Sequence, residues 1–567
     1  MFIIVGDVSG IQDYLLDIVG SHGGQSRRLR ARSFFLQAFS ELAARRILSA
    51  AGWGDDCLLF SAAGKFLLRG PDLEPSHREA VERERGVVAE WLRDTVGARI
   101  RLALCMVPES PSVRESYNRA LTALQKEKLR PWANIAVHNG EWNPEKLVLD
   151  PIYLDPIYPT CSICRRQLAT ASIRIPDEDS EIPVCWMCRQ DDEMGRILPA
   201  SRFMTIHDPS DGMSEYEIAG LKLSLHPNKP DTATARYVFD LSDSAPRWDG
   251  SAKIVSRRIT RHIPTDNQGH PLDFDNIADQ AEGGPYLGVL KMDVDSLGKA
   301  VDHILKDAGD WQPLIQFSQR LDKFFAVKLD EEMRQPKWSS IYTVFSGGDD
   351  LLLVGPWNIV FDFAFHVQQL FQAEFRDLEL TISGGMALVK KKHPIRRAVM
   401  QADALLEQEA KSKPAPGATE AKDQFAAFGQ IWKWRNHEAI AHHARCLTKW
   451  VRDNSAERGW LHDLLRFTLQ RETSHLSSGS CYSASFLPDG LQRETNHLSS
   501  ARLSYHITRN YPKENDPSPE KQALRRWANQ IAADFEKGRN IETIYLSAIA
   551  RYALLATREQ KGGEDGT

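Results

Sequence analysis

Gly347-Gly-Asp-Asp350 lies inside a strand-turn-strand pattern, Phe345-Ser-Gly-Gly-Asp-Asp-Leu-Leu-Leu-Val-Gly355, and sets two carboxylates side by side. Its glycines allow a tight turn and the close approach of phosphate oxygens. Upstream, the apolar run Val289-Leu-Lys-Met-Asp293-Val-Asp ends in a third acid. Converging carboxylates of this kind suit nucleotidyl transfer, which needs divalent metal to neutralise phosphate charge and to activate an attacking hydroxyl. Asp293, Asp349 and Asp350 are therefore the candidate catalytic residues and the candidate ligands of a two-metal site for magnesium or manganese, hard cations that take oxygen. Gly347 and Gly348 are the candidate phosphate contacts. Asp295 reads either as a further ligand or as the cap of a helix starting near Leu297. Asp and Gly are the commonest turn residues, so the tetrapeptide alone could be a plain hairpin; the acid at the preceding strand end is what gives it chemical meaning.

A second cluster offers different chemistry. Cys161-Ser-Ile-Cys164 and Cys185-Trp-Met-Cys188 are two C-x-x-C knuckles with the spacing of a tetrahedral zinc site. Four thiolates leave no open coordination position, so the zinc expected here is structural. Cys57, Cys105, Cys446 and Cys481 are scattered and read as small buried side chains.

Bringing the acids together requires a strand end and a hairpin of one sheet, and the chain supplies such a set twice. Phe60-Ser-Ala-Ala-Gly-Lys-Phe-Leu-Leu-Arg-Gly70 matches Phe345 to Gly355, and Ile3-Ile-Val-Gly-Asp7-Val-Ser matches the run ending at Asp293. In each copy a helical stretch separates the two, and another helix and strand follow, Ile100 to Met106 and Leu380 to Met386. This β-α-β-β-α-β order is the ferredoxin-like unit, in which the first strand lies beside the third. Where the second copy has Gly-Gly-Asp-Asp, the first has Ala62-Ala63-Gly64-Lys65; it keeps Asp7 without the paired acids, and Lys65 is expected to neutralise Asp7 as an ion pair.

The expected fold class is α+β, with a first ferredoxin-like unit over 1–150, a linker domain with the four-cysteine zinc site over 151–285, a second unit over 286–420 and an α-helical C-terminal domain over 421–567. Its helical pattern starts at Ala427-Phe-Gly-Gln-Ile-Trp-Lys-Trp434, and the polar tail from Gln560 is expected to be disordered. A short duplication, Leu469 to Ser478 and Leu491 to Ser500, which contains His475 and His497, reads as local and without catalytic meaning. At 567 residues, three or four domains are expected, and a formal charge of -5 leaves no global basic field for nucleic acid. The opening apolar run is too short for a signal peptide or a span, and the cysteine spacing suits metal better than disulfides, so a reducing cytoplasm is the expected setting.

In these residues the chain resembles the large polymerase/cyclase subunit of type III CRISPR effector complexes, the Csm and Cmr assemblies. Gly6-Asp-Val-Ser-Gly-Ile-Gln12 is similar to the start of that family's first palm domain, Leu29-Arg-Ala-Arg-Ser33 to the helix that follows, and Cys161 to Cys188 to its zinc-binding linker. Leu287 to Gly298, Ser346 to Asp350, and His393-Pro394 to Lys411 resemble its second palm. The resemblance implies synthesis of cyclic oligoadenylates from ATP, switched on when guide RNA pairs with target RNA, in a complex with other Csm/Cmr-type subunits. It implies metal binding by Asp293, Asp349 and Asp350, and nucleotide contacts from Ser9, Gly347, Gly348 and Lys411. Lys411 reads equally as a solvated helix-end cation.

Two departures stand out. Many members begin with a His-Asp phosphohydrolase domain, whereas here the first palm starts at Met1; His207-Asp208 and His462-Asp463 are isolated dipeptides expected to be structural, so DNase activity of that type is not expected. Ser61-Ala62-Ala63 stands where the family's first hairpin tends to be glycine-rich. The rival functions are a stand-alone palm-type nucleotide cyclase and a non-catalytic RNA-complex scaffold. The basic runs Arg27-Arg-Leu-Arg-Ala-Arg32 and Arg257-Arg-Ile-Thr-Arg-His262 favour the scaffold unless they are solvated helix faces.

Overall fold

The computed structural model of the chain describes residues 1–18, 24–62, 64–71, 74–138, 140–147, 159–174, 180–207, 216–231, 235–241, 247–248, 253–256, 262–475, 503–505, 509, 516–535 and 539–558. It opens with β1 (Phe2–Ser9), buried from Ile3 to Val8. Next come α1 (Ile11–Leu16) and α2 (Gln25–Ala50), then the hairpin of β2 (Leu58–Ala62) and β3 (Lys65–Gly70). Helix α3 (Pro75–Val96) carries proline in its first turn and ends at Gly97 in the left-handed region, the asymmetry that stops and starts helices. Then follow β4 (Arg101–Pro108) and α4 (Val113–Lys128), whose Ser112 cap accepts from the Glu115 N–H. The sheet order is β2-β3-β1-β4, with β1 antiparallel to both β3 and β4. Ile4, Phe66, Leu68 and Leu104 of the sheet share one core with Ala43, Ala44, Ile47 and Leu48 of α2 and Val81 of α3. Short α5 (Ala133–Ala136) and the two-residue strands β5 (Val137–His138) and β6 (Glu141–Trp142) end this part.

The linker region contains a hairpin, β7 (Ala171–Arg174) with β8 (Glu181–Val184), and helix α6 (Trp186–Ile197). Beyond these lie β9 (Phe203–His207), β10 (Tyr216–Ile218), β11 (Leu221–His226), β12 (Tyr237–Asp240), β13 (Arg247–Trp248) and β14 (Lys253–Ser256), a six-stranded sheet in the order β10-β11-β9-β12-β14-β13.

The next elements are α7 (Phe274–Asp279), β15 (Tyr286–Val294), α8 (Leu297–Ile304), α9 (Gln312–Lys323), α10 (Leu329–Met333), β16 (Tyr342–Gly347), β17 (Asp350–Pro356), α11 (Trp357–Glu374), β18 (Ile382–Lys390) and α12 (Ile395–Ala404). A π-helical turn, Leu405–Ala410, prolongs α12. The strands run β16-β17-β15-β18, which repeats the order of the first sheet. The sheet then continues into β19 (Gln424–Ala427) and β20 (Gln430–Lys433), where a helix was expected from Ala427. Phe428 and Gly429 both adopt positive φ, 52° and 75°, the demand of a type I′ hairpin, and Trp432 and Trp434 recur at the strand spacing of two.

Helices follow: α13 (His437–Arg452), α14 (Arg458–His475), then Pro519–Asp534, Ile541–Ile544 and Leu546–Ala556. The second copy of the duplication, Cys481 and the tail from Gln560 lie outside the described residues. Of the two His-Asp dipeptides, His207 shares a hydrogen bond with Thr205 Oγ1 at the end of β9, and Asp463 pairs with Arg466 on α14. Two compact units emerge from the contacts. The first comprises Met1–Asp273, Ser296–Leu353 and Pro394–Arg396; the second comprises Phe274–Asp295, Val354–His393 and Arg397–Thr567. Among the described residues no helix is long and apolar enough to cross a membrane.

Candidate active site and metal centre

Asp293 stands one residue before the end of β15, with its Cα opposite Ser383 of β18. Its carboxylate, about one quarter exposed, forms an ion pair with the Lys411 ammonium, which also donates to Glu407 Oε1 at 3.0 Å. Burial works against the Lys411 charge, but the carboxylates of Asp293 and Glu407 outweigh it and hold the ammonium above its ordinary value. The π-helical turn at Leu405–Ala410 delivers this lysine, a geometry that recurs at functional sites. That segment rests directly on β18: a Cβ at Gly385 would stand 2.5 Å from the Leu406 nitrogen and 2.7 Å from the Ala402 oxygen. A paired glycine inside a strand is the sequence signal for such an approach, and Gly384-Gly385 carries it.

Asp295 does not cap α8. The N-cap of that helix is Ser296, whose side chain makes no capping bond. Asp295 is instead 4% exposed and accepts from Thr381 Oγ1 at 2.9 Å, Ser383 Oγ at 2.9 Å and the Asp423 N–H at 3.0 Å. Its own N–H donates to the Thr381 carbonyl. Beside it, Gln424 donates to the carbonyls of Ala410 and Lys413 and accepts from the Ala415 N–H. Together Asp295 and Gln424 close the loop that follows Lys411.

The Gly-Gly-Asp-Asp segment forms the turn between β16 and β17, and β17 neighbours β15 in the sheet. Gly348, the first of the two turn residues, has φ 67°, a conformation that favours glycine. At Gly347 an added Cβ would meet only Phe345 Cζ at 4.0 Å, so that position is not crowded. Asp349 and Asp350 are partly exposed, while Ser346 beneath them is buried and donates to the Phe325 carbonyl at 2.7 Å.

In the first half, Asp7 and Lys65 are Cα partners across β1 and β3. Lys65 does not neutralise Asp7, however, because its side chain is exposed and the ion pair goes to Lys128 at the end of α4. Helix α4 packs on β1 and β4 and lowers Lys128 onto the buried carboxylate, while Lys65 stays exposed. Asp7–Lys128 thus parallels Asp293–Lys411, in each case an acid near the end of the unit's first strand met by a lysine at the end of the helix that follows its fourth strand. Ser9 ends β1 opposite Arg101 of β4, and Gly10 follows in the left-handed region.

The four cysteines converge as their spacing implies. Their Sγ atoms all lie within 4.8 Å of one another, and all four residues are buried. The first knuckle is folded by backbone bonds from the Cys161 N–H to the Gln167 carbonyl and from the Arg165 N–H to the Cys161 carbonyl; the second is the N-terminus of α6, where Cys185 Sγ accepts from the Cys188 N–H. Mutual sulfur contacts hold the Cys161 thiol far below its ordinary value. They bring Cys164 down to about 6, with Cys161 opposing the shift and Cys185 and Cys188 driving it. A compact set of four buried sulfur donors fits a tetrahedral thiolate metal site.

The basic run on α2 is neither a solvated face nor an exposed nucleic-acid patch. Arg28, Arg30 and Arg32 are buried. Arg27 and Arg28 pair with Asp192, at 2.9 and 3.1 Å, and Arg32 with Asp191 at 2.7 Å. Arg32 Nη2 also lies 3.6 Å from Cys188 Sγ. The acids on α6 that bury this run are the adjacent pair Asp191-Asp192, just beyond the last cysteine. In the second run, Arg257 to Arg261 lie outside the described residues.

Two like-ordered sheets, one with an acid-bearing glycine turn, and a four-cysteine centre define a palm-type protein. Family comparisons agree in both halves: residues 286–424 match the model of the Cas10/Cmr2 second palm domain, and residues 1–138 match Csm1 subunit domain B. A Cas10/Csm1 single-strand-specific deoxyribonuclease of subtype III-A from Mycobacterium tuberculosis is 26% identical over 514 residues, 82% of this chain and 59% of that protein. The similarly named protein of Thermococcus onnurineus is 25% identical over 422 residues, 70% of this chain and 52% of that protein. The chain therefore spans between half and three fifths of the length of these curated relatives. A crystal structure of a Csm1-Csm4 cassette in complex with one ATP shares the fold, with a TM-score of 0.69 at 18% identity over 98% of this chain and 70% of that one. A cassette in complex with cA4 gives 0.68 at 17% identity over the same shares. The chain is a homologue of the Cas10/Csm1 large subunits of type III CRISPR complexes.

Proposed function

We propose that this chain joins ATP into cyclic oligoadenylates as the large subunit of a type III-A complex, when guide RNA bound by the complex pairs with target RNA. Its Csm-type partner subunits and both RNAs belong to this reading, as does its division into two palms, a zinc-binding linker and a helical C-terminal domain. Asp293, Asp349 and Asp350 hold magnesium or manganese, and the bound ions supply charge neutralisation and activation of the attacking 3′-hydroxyl. Gly347 and Gly348 admit phosphate oxygens. Lys411 balances the charge of Asp293 and offers its ammonium to the nucleotide, as Ser9 does its hydroxyl. The four cysteines hold structural zinc.

The observation that carries this reading is the internal repeat. In the first sheet Asp7 faces Lys65 across the ladder. Asp293 and Asp350 occupy the corresponding positions of an identically ordered sheet. In the aligned repeats Asp350 stands where Lys65 faces Asp7, and on this reading the strand-end acid and the paired acids serve one site. Support also comes from relatives crystallised with ATP and with cA4.

The test is incubation with ATP and manganese, with and without the guide complex and target RNA, and identification of products by mass. Asp349→Ala with Asp350→Ala is expected to abolish product while assembly persists, because the turn keeps its glycines. Undiminished product in that variant overturns the reading, and product independent of target RNA favours a stand-alone cyclase. A pure scaffold loses one support, since the run at Arg27 to Arg32 is buried against α6.

A further inference from the structure

We infer that helix α2 mechanically couples the four-cysteine centre to strand β16, so that filling the centre stiffens the strand that leads into the Gly347-Gly-Asp-Asp350 turn. This deepens the proposed function and rests on it only for the consequence in catalysis; every contact used lies in the first unit.

One end of the link is the arginine run. Arg32 bridges Asp191 and the sulfur of Cys188, while Arg27 and Arg28 converge on Asp192, four residues after that cysteine on the same helix. Both aspartates are essentially unexposed, so neither pair is screened by solvent. The helices also touch backbone to backbone. A Cβ at Gly195 of α6 would stand 2.1 Å from the Arg27 carbonyl oxygen, which leaves no room for α6 to slide along α2. Movement of the second cysteine knuckle, which is the first turn of α6, is therefore movement of α2.

The other end is Arg30. Its Nη1 donates to the Gly195 carbonyl at 2.9 Å, and its Nε donates to the Tyr342 hydroxyl at 3.2 Å. That hydroxyl donates in turn to the Ser26 carbonyl at 2.7 Å, and the Arg30 guanidinium lies over the Tyr342 ring. Tyr342 is fully buried and is the first residue of β16; the last is Gly347. A single guanidinium thus spans α6 and β16. Metal holds the knuckles, the knuckles hold α6, Arg30 and Arg32 hold α2 to it, and Tyr342 registers β16 on α2. Tyr342 and Arg30 are positioning residues, since neither approaches the acids.

The readout is hydrogen–deuterium exchange by mass spectrometry on the full chain, with segment 342–347 as reporter and 101–108 of β4 as control. Removing zinc with a chelator is expected to speed exchange in 342–347 by about tenfold, the scale of one buried hydrogen bond lost, with β4 unchanged. Tyr342→Phe is expected to give a similar acceleration while zinc content stays at the wild-type level. Chelation of that variant should add little, because the link is already cut. In the ATP assay Tyr342→Phe is expected to lower kcat with KM nearly unchanged. Chelation that loosens 159–197 yet leaves 342–347 at wild-type rates overturns the coupling. Should chelation also unfold β4, Tyr342→Phe decides alone, and unchanged exchange in 342–347 overturns it. Faster exchange after chelation, in a chain whose product formation ignores Asp349 and Asp350, keeps the coupling and sinks the catalytic reading instead.

Discussion

Asp293 and Asp295 are two residues apart on one strand end, yet the structure gives them opposite expectations. Asp295→Ala removes the acceptor of three donors, Thr381 Oγ1, Ser383 Oγ and the Asp423 N–H, at a site only 4% exposed. A hydrogen bond to a charged group contributes roughly 1.5–3 kcal/mol, so three would total about 4.5–9 kcal/mol if additive. Two effects reduce that sum. Water can enter the space vacated by the carboxylate, and Asp423, whose carboxyl is pushed up first by burial and further by the charge of Asp295, is relieved of a like charge. The expected local cost is therefore about 3–5 kcal/mol, comparable to breaking a buried ion pair. Asp293→Asn loses one partly exposed pair with Lys411, at a cost of about 1 kcal/mol or less. A chain with several domains does not unfold in two states, so the assay is hydrogen exchange in 382–390 and 405–424 rather than a single melting temperature. Asp295→Ala should deprotect both segments, and Asp293→Asn should leave them near wild type. Equal protection in the two variants, or a larger loss in Asp293→Asn, would refute the division of labour.

Other outcomes follow from the same geometry. In ATP titrations under manganese with target RNA bound, Asp293→Asn should lower turnover by orders of magnitude, whereas Asp7→Asn, lacking paired acids across its ladder, should act mildly and mostly on ATP affinity; equal collapse would make the first half catalytic. Elemental analysis should find one zinc per chain, lost on Cys161→Ser together with protection of 159–197, because metal bound only by the folded state stabilises it. His437 is fully buried against Phe361 and Phe365, and burial, with Arg445 adding to it, pushes its imidazole down to about 3. Between about 6.5 and 3 the unfolded chain binds a proton that the folded one refuses, so stability falls as pH drops through that window. His437→Phe should flatten that part of the stability profile, and an unchanged acid slope would show that other groups set it.

The strand order of both halves was legible because it rests on local information, short apolar runs, glycine turns and their recurrence. The four-cysteine centre was legible for a similar reason, since a C-x-x-C knuckle is a local fold and two of them complete a tetrahedral donor set. The hairpin at 424–433 was not, although its Phe428-Gly429 turn and the alternation at Trp432 and Trp434 are visible afterwards. Its aromatic residues satisfy helical and strand patterns alike, and only pairing with β18 decides between them.

The sequence by itself therefore determined the repeat, the types and order of the acid-bearing elements and the clustering of the four cysteines. Tertiary structure alone decided which charges meet. Lys128 rather than Lys65 reaches Asp7, Asp295 became an anchor rather than a cap, and the basic run of α2 turned inward onto Asp191 and Asp192. The physical reason is that a charged side chain's partner is chosen by which helix face or strand end comes within about 3 Å of it, and that approach is set by packing between segments far apart in the chain.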